Sequence, residues 1–233
     1  YTYPVEAWFF EPDSSEDRLK KHFDVSSLKG FGIDKLECGI AASGAILYYL
    51  DMTKHELVGH ITSIGRIDES TCVLLDRFTL RNLEILESLH EGGCSLTDII
   101  DRTITPMGSR MLRRWICMPL KSPEEINQRL DIVESFIQHE TERLELEQLL
   151  RIIGDLERLA SKIAVCRISP REMVQLKVAL QTLIPLKKHC RNINNPQLTQ
   201  WIEQLNECEA LHQKIAQQIQ EEAPAQLNKG NVI

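Results

Sequence analysis

The sequence predicts a mainly α, multihelical fold, preceded by a smaller region of short, mixed elements. Three observations predict it. From about position 76 to 222, apolar residues recur at helical spacing behind starts in which a polar cap is followed by proline. Aromatic residues are only 6% of the 233 while hydrophobic residues are 42%, so the core rests on Leu, Ile, Val and Ala. Residues 1 to about 75, by contrast, are broken by Gly, Pro and Ser into short segments.

In the first region, Ser14-Ser15 ahead of Asp17-Arg18-Leu19 predicts a short helix start. Leu36 to Met52 predicts a long helix carrying Gly39, Ala41, Ala42, Ser43, Gly44 and Ala45. Small residues let another element approach closely. Ile61, Ser63, Gly65 and Ile67 alternate weakly, and Cys72-Val73-Leu74-Leu75 is a short apolar run; both predict strands.

The second region has sharper signals. Thr105-Pro106 is an N-cap followed by proline at N1, and Met107, Met111, Leu112, Trp115 and Ile116 follow it. Ser122-Pro123-Glu124-Glu125 predicts a capping box and a helix facing inward through Ile126, Leu130, Val133, Phe136 and Ile137. Ser169-Pro170-Arg171-Glu172 repeats the device ahead of Met173, Leu176, Leu180, Leu183 and Ile184. Asn195-Pro196 opens a last helix through Leu198, Ile202, Leu205, Cys208, Ile215 and Ile219, stopped at Pro224.

Charge and cysteines narrow the function classes. The formal net charge is -7, which disfavours autonomous binding to DNA or an anionic membrane. The longest nearly apolar run, Gly39 to Leu50, is too short to span a bilayer, so no membrane is expected. The first ten residues carry no basic leader segment. Seven cysteines, none in a CxxC pair, read as reduced thiols of a cytoplasmic protein. The chain begins at Tyr1 and ends at Ile233 just beyond a turn-like run, as a fragment would.

Catalytic and ligand motifs fail on spacing. His55-Glu56-Leu57-Val58-Gly59-His60 places its second histidine at i+5, off the face that a zinc-binding HExxH needs. Gly39 to Gly44 has the glycines of half a phosphate loop, but Ala45 and Ile46 stand where Lys and Ser or Thr are required. Gly30-Phe31-Gly32 lacks the third glycine of a dinucleotide fingerprint, with Lys35 in its place. No GxSxG elbow is present. No catalytic, cofactor-binding or metal-binding residue is assigned.

Arg110, Arg113 and Arg114 are the candidate contact residues. They crowd one side of a helix in a stretch, 101–121, of net charge +4, while 134–160 carries -4. One reading is a phosphate or partner contact. The other, favoured by the acidic balance of the chain, is ion pairing with the acidic helices that follow.

The run Thr103-Ile104-Thr105-Pro106-Met107-Gly108-Ser109-Arg110-Met111-Leu112-Arg113-Arg114-Trp115, with Pro119-Leu120 after it, resembles the MutS family of DNA mismatch repair proteins. Leu75-Asp76, Thr79 and Arg81 to Glu84 resemble the family's segment just upstream. Gly154-Asp155-Leu156-Glu157-Arg158-Leu159 and Arg167 to Arg171 resemble the segment downstream. Leu28 to Gly32 and Ala41 to Leu50 resemble the end of the family's connector domain, and Asn228 to Ile233 the run before its clamp.

The resemblance implies residues 1–57 as the C-terminal part of a small α/β connector domain. It implies 58–75 as a linker with short strands, and 76–233 as the first half of a helical core, or lever, domain. It also implies a parent protein, homodimeric in the family's manner, that binds mismatched double-stranded DNA and a MutL-type partner. ATP and magnesium would belong to a domain outside this chain, and the chain itself would be a non-catalytic lever. Taken alone, the residues also fit an independent helical protein-interaction scaffold, and the resemblance also fits a MutS relative acting in recombination.

Overall fold

The structure, a computed structural model, describes residues 4–53, 58–66 and 71–224. The chain divides into two compact units. The first takes in the described residues ahead of position 68 together with Ala164–Cys166, and the second takes in the rest.

In the first unit, a 3-10 turn, Ala7–Phe10, leads into α1, Pro12–Phe23. The helix starts at Pro12, two residues before the predicted Ser14, because proline fits the first helical position. Ser15 is fully buried instead, facing the next helix. Left-handed Asp24 ends α1, and the Val25 N–H closes on the Lys20 carbonyl at 3.0 Å. A second 3-10 turn, Leu28–Phe31, precedes α2, Glu37–Met52. The predicted helix is present, with Leu36 at its N-cap. Leu19, Leu28, Ile33, Ile40 and Leu47 make the core, ringed by Phe23, Val25, Phe31, Leu36, Ile61 and Ile64. The small residues of α2 let α1 come close. Arg18 of α1 donates to the Gly44 carbonyl at 3.0 Å and stacks 4.6 Å above the Tyr48 ring.

The predicted strands do not form among the described residues. Ile61 to Arg66 is irregular, and Ile67 lies outside the description. Cys72 makes a single antiparallel bridge to Leu120, with Val73 N–H donating to Pro119 at 2.7 Å and Lys121 N–H to Thr71 at 3.0 Å. The pairing stops there because Asp76 turns the chain into a helix by accepting from the Thr79 N–H at 2.7 Å.

The second unit contains α3 (Arg77–Asn82), α4 (Leu96–Ile100), α5 (Pro106–Cys117), α6 (Pro123–Gln138) and α7 (Glu140–Ile153). It continues with α8 (Leu156–Ala164), α9 (Pro170–Asn192), α10 (Pro196–Glu203) and α11 (Glu209–Gln218). Helix is interrupted between α3 and α4 by a loop. There the Glu84 carboxylate, at a residue with φ 48°, accepts from the Leu89 N–H at 2.7 Å. Ser95 and Asp98 then form a reciprocal capping box for α4, with Ser95 and Thr97 almost fully buried.

The spine is α9. Leu176, Ala179, Leu180, Leu183, Leu186 and Cys190 face Leu146 and Ile153 of α7, Ile132 of α6, Leu198 of α10 and Ile215 of α11. Ser169 and Glu172 cap α9 reciprocally, as their spacing predicts. Ser122 caps α6 on one side only, accepting from Glu125 N–H at 3.3 Å while its hydroxyl donates to Glu124 at 2.8 Å. Buried Asn195 caps α10 and donates to Ser135 of α6 at 2.8 Å.

Two expectations are corrected here. The last helix is two helices. Cys208 is left-handed, the Asn206 side chain accepts from its N–H at 2.8 Å, and nearly buried Lys187 binds the Leu205 carbonyl at 3.0 Å and Glu207 at 3.2 Å. The turn keeps the apolar residues in phase, so their spacing hides it. On α6, the core is reached by Ile132 and partly by Phe136, while Leu130, Val133 and Ile137 are exposed. Val133, Phe136 and Ile137 instead line an open apolar groove with Leu146 and Leu150 of α7 and Leu186 and Cys190 of α9.

Candidate functional site

The arginine-bearing helix α5 is positioned by its own first turn. Thr105 accepts from the Gly108 N–H at 3.0 Å and Pro106 occupies N1. A side chain at Gly108 would press on Thr105 Oγ1 at 3.2 Å and Thr103 Cβ at 3.3 Å, so glycine lets this cap close. Asp101 accepts from Thr103 N–H at 3.0 Å, Thr103 Oγ1 at 2.6 Å and Ser109 Oγ at 2.5 Å. These donors, the Ser109 hydroxyl foremost, hold its carboxyl down at about 2. At the other end, the Arg129 guanidinium of α6 lies 3.8 Å above the Trp115 ring.

Arg110 points at the junction between α7 and α8. Its Nη1 and Nη2 donate to the two Asp155 oxygens at 3.1 and 2.7 Å. Its Nε and Nη2 donate to Glu157 Oε2 at 2.9 and 2.6 Å. The Asp155 side chain is only 14% exposed against 65% for Glu157, so the fork on Asp155 is the better-shielded half. Asp155 is placed by Gly154, whose φ of 65° and ψ of -130° suit glycine, so the chain turns sharply out of α7. Asp155 Oδ1 also accepts from the Arg158 N–H at 3.1 Å, capping α8. The Arg110 hydrogen bonds, then that N–H, hold the Asp155 carboxyl below the usual range, and Arg110 is shifted upward by the same contacts.

The polar chain continues. From α8, Lys162 donates to Glu172 and Arg158 lies 3.7 Å from it. Glu172 is also the residue that closes the α9 capping box, accepting from Ser169 N–H at 3.0 Å. The Lys162 ammonium, then the Ser169 N–H, bring its carboxyl down to about 2. Arg110 of α5, the cap of α8 and the cap of α9 are thus linked through carboxylates that each serve two helices.

The three arginines separate in their contacts. Arg110 is internal to the unit. Arg113 and Arg114 are exposed and form no ion pair among the described residues, although the Arg113 charge helps lower Asp98 and Asp101. Asp155 and Glu172 were not singled out as site residues by sequence. Their only sequence signal is position, beside a glycine and in a capping box.

The glycine motif of the first unit is placed by α2. Gly39 to Gly44 lies inside α2, with Gly44 packed on Ser15, so this segment does not fit a nucleotide phosphate or its magnesium. His55, Glu56 and Leu57 lie outside the described residues, as do Asn228 to Ile233. Among the described residues, no group of three or more His, Cys, Asp or Glu is arranged to hold a metal ion, and no helix is long and apolar enough to cross a membrane. All seven cysteines are free.

Comparison with known proteins gives two family models. MutS domain II matches residues 2–62 and MutS domain III matches residues 78–233. The chain is 51% identical over all 233 residues to the DNA mismatch repair protein MutS of Phocaeicola vulgatus, covering 27% of that protein. It is 50% identical to the same-named protein of Bacteroides fragilis, again covering 27% of it. For that of Porphyromonas gingivalis the identity is 48% with 26% covered. The chain therefore spans about a quarter of the length of the curated relatives it matches.

Proposed function

The chain belongs to the MutS family of DNA mismatch repair proteins, and on that premise we propose that it is a non-catalytic mechanical element, coupling nucleotide state in one part of the parent protein to DNA grip in another. Its two matched segments correspond to the connector and lever domains. One observation carries the reading: Arg110, Asp155, Arg158, Lys162 and Glu172 tie α5, α8 and the start of α9 together through charge-assisted contacts. Helices joined in this way, over a Leu and Ile core, move as a unit between discrete packings.

The reading assigns ATP hydrolysis, with ATP and magnesium, to residues outside this chain. It assigns to the parent protein mismatched duplex DNA and a MutL-type partner, a homodimeric state and a cytoplasmic location. Arg113 and Arg114, exposed on the outer side of α5, are the residues proposed to touch a partner. The test is Arg110→Gln in the full-length protein, measured as the rate of ATP-triggered release of a mismatched duplex. The expected result is weakened coupling with ATP affinity and DNA affinity each unchanged when measured alone. Unchanged coupling overturns the proposal.

A further inference from the structure

A recess of about 730 Å³ opens where α7 turns into α8, with Glu221 to Pro224 along one side. Arg151, Arg158 and Arg171 converge on it from three helices, α7, α8 and α9. Three carboxylates also line it: Asp155, Glu221 and Glu222. Two of these already have cationic partners. Asp155 receives the fork from Arg110, and Glu221 lies 3.4 Å from the Lys177 ammonium, whose side chain is nearly buried. Among the described residues, the Arg151 and Arg171 side chains have no ion-pair or hydrogen-bonding partner, and the Arg158 guanidinium has only the 3.7 Å approach to Glu172. Glu222 alone opposes them.

We infer that this recess binds an anion of the phosphate class. The reasoning is electrostatic. Guanidinium groups left unpaired in a concave site strengthen one another's field, and their planar forks match two oxygens of one phosphate. The acidic balance of the whole chain does not apply locally, because two of the three carboxylates lining the recess have cationic partners. The same chemistry has two sources: a free phosphate or nucleotide, and a backbone phosphate of a nucleic acid. The inference goes beyond the coupling role and does not require it.

The test uses the 233-residue chain and inorganic pyrophosphate as the probe. Pyrophosphate is expected to raise the melting temperature in a concentration-dependent way, and to shift the Nε–Hε resonances of Arg151 and Arg171. The double variant Arg151→Gln/Arg171→Gln is expected to weaken binding about tenfold or more. The variant Arg77→Gln/Arg102→Gln, whose residues do not line the recess, is expected to bind like the wild type. Both substituted arginines are exposed, and folding of the variant is checked by its unliganded melting curve. Competition by a short labelled duplex would identify the source as a nucleic-acid backbone, and binding without competition would identify a free anion. No thermal shift and no resonance change, or equal shifts in both double variants, would overturn the assignment. Unchanged ATP coupling in Arg110→Gln, with pyrophosphate binding intact, would strike the proposed function alone.

Discussion

A β-carbon placed on Gly44 would lie 2.4 Å from the β-carbon of Ser15 and 2.6 Å from its α-carbon. Both positions are buried, one on each of the two helices that build the first unit. The close approach of α1 to α2 therefore depends on the missing side chain.

Gly44→Ala is expected to destabilise the first unit by about 1–3 kcal/mol, because backbone must move to admit the methyl group. Gly30→Ala is the matched control, since nothing lies within 4 Å of the position its β-carbon would take. Urea unfolding of the two variants checks this. Equal midpoints would show that the helices can part without cost.

The Arg110 fork is expected to be a coupled interaction and not two independent charges. In a double-mutant cycle with Arg110→Gln and Asp155→Asn, the two losses are expected to be less than additive. The coupling should shrink as salt is raised, because the arginine side chain is 49% exposed. Additive losses at low salt would dismiss the contact.

Acid is expected to loosen the α8–α9 junction through Glu172. Its folded value of about 2 lies below the ordinary 4.5, so its stabilisation is present above pH 4.5 and is lost as pH falls toward 2. Glu172→Gln should flatten that part of the stability–pH curve, measured as the urea midpoint across the window. An unchanged slope would show that the carboxylate titrates alike in both states.

The Cys190 thiol, pushed up to about 11 by burial against the α9 core, is expected to resist alkylation in the native protein. Exposed Cys38, Cys94 and Cys166 should react first. Mass spectrometry after a short iodoacetamide pulse, with and without denaturant, checks the order. Early labelling of Cys190 would mean that α9 opens locally.

Core position should separate residues that look alike in the sequence. Leu183→Ala, at 5% exposure, is expected to cost about 2–5 kcal/mol. Ile137→Ala, at 72% exposure, should stay within about 0.5 kcal/mol in this chain. Comparable losses in a thermal melt would place Ile137 in a core after all.

The helix starts at Thr105, Ser122, Ser169 and Asn195 were legible because a cap is a local event, made among residues three apart. The run of small residues in α2 was legible as a close-packing face for the same kind of reason, a property of side-chain size alone. The family was legible in the residues from Thr103 to Trp115. Among the described residues the short strands do not form: Cys72 to Leu75 is apolar enough for a strand, yet pairs there only through the Cys72 bridge to Leu120. Nothing in the local pattern distinguishes those cases.

The sequence by itself determined the helical class, most of the caps, the absence of a phosphate-loop sequence in α2 and the family. Each follows from residue types at short spacing. Tertiary structure decided which face of α6 met the core, where the last helix broke, and which carboxylates Arg110 would reach. Those outcomes depend on contacts between residues far apart in the chain, such as Arg110 with Asp155 and Lys187 with Leu205. Such contacts are set by how whole helices pack, and helical periodicity carries no information about which neighbour a face will find.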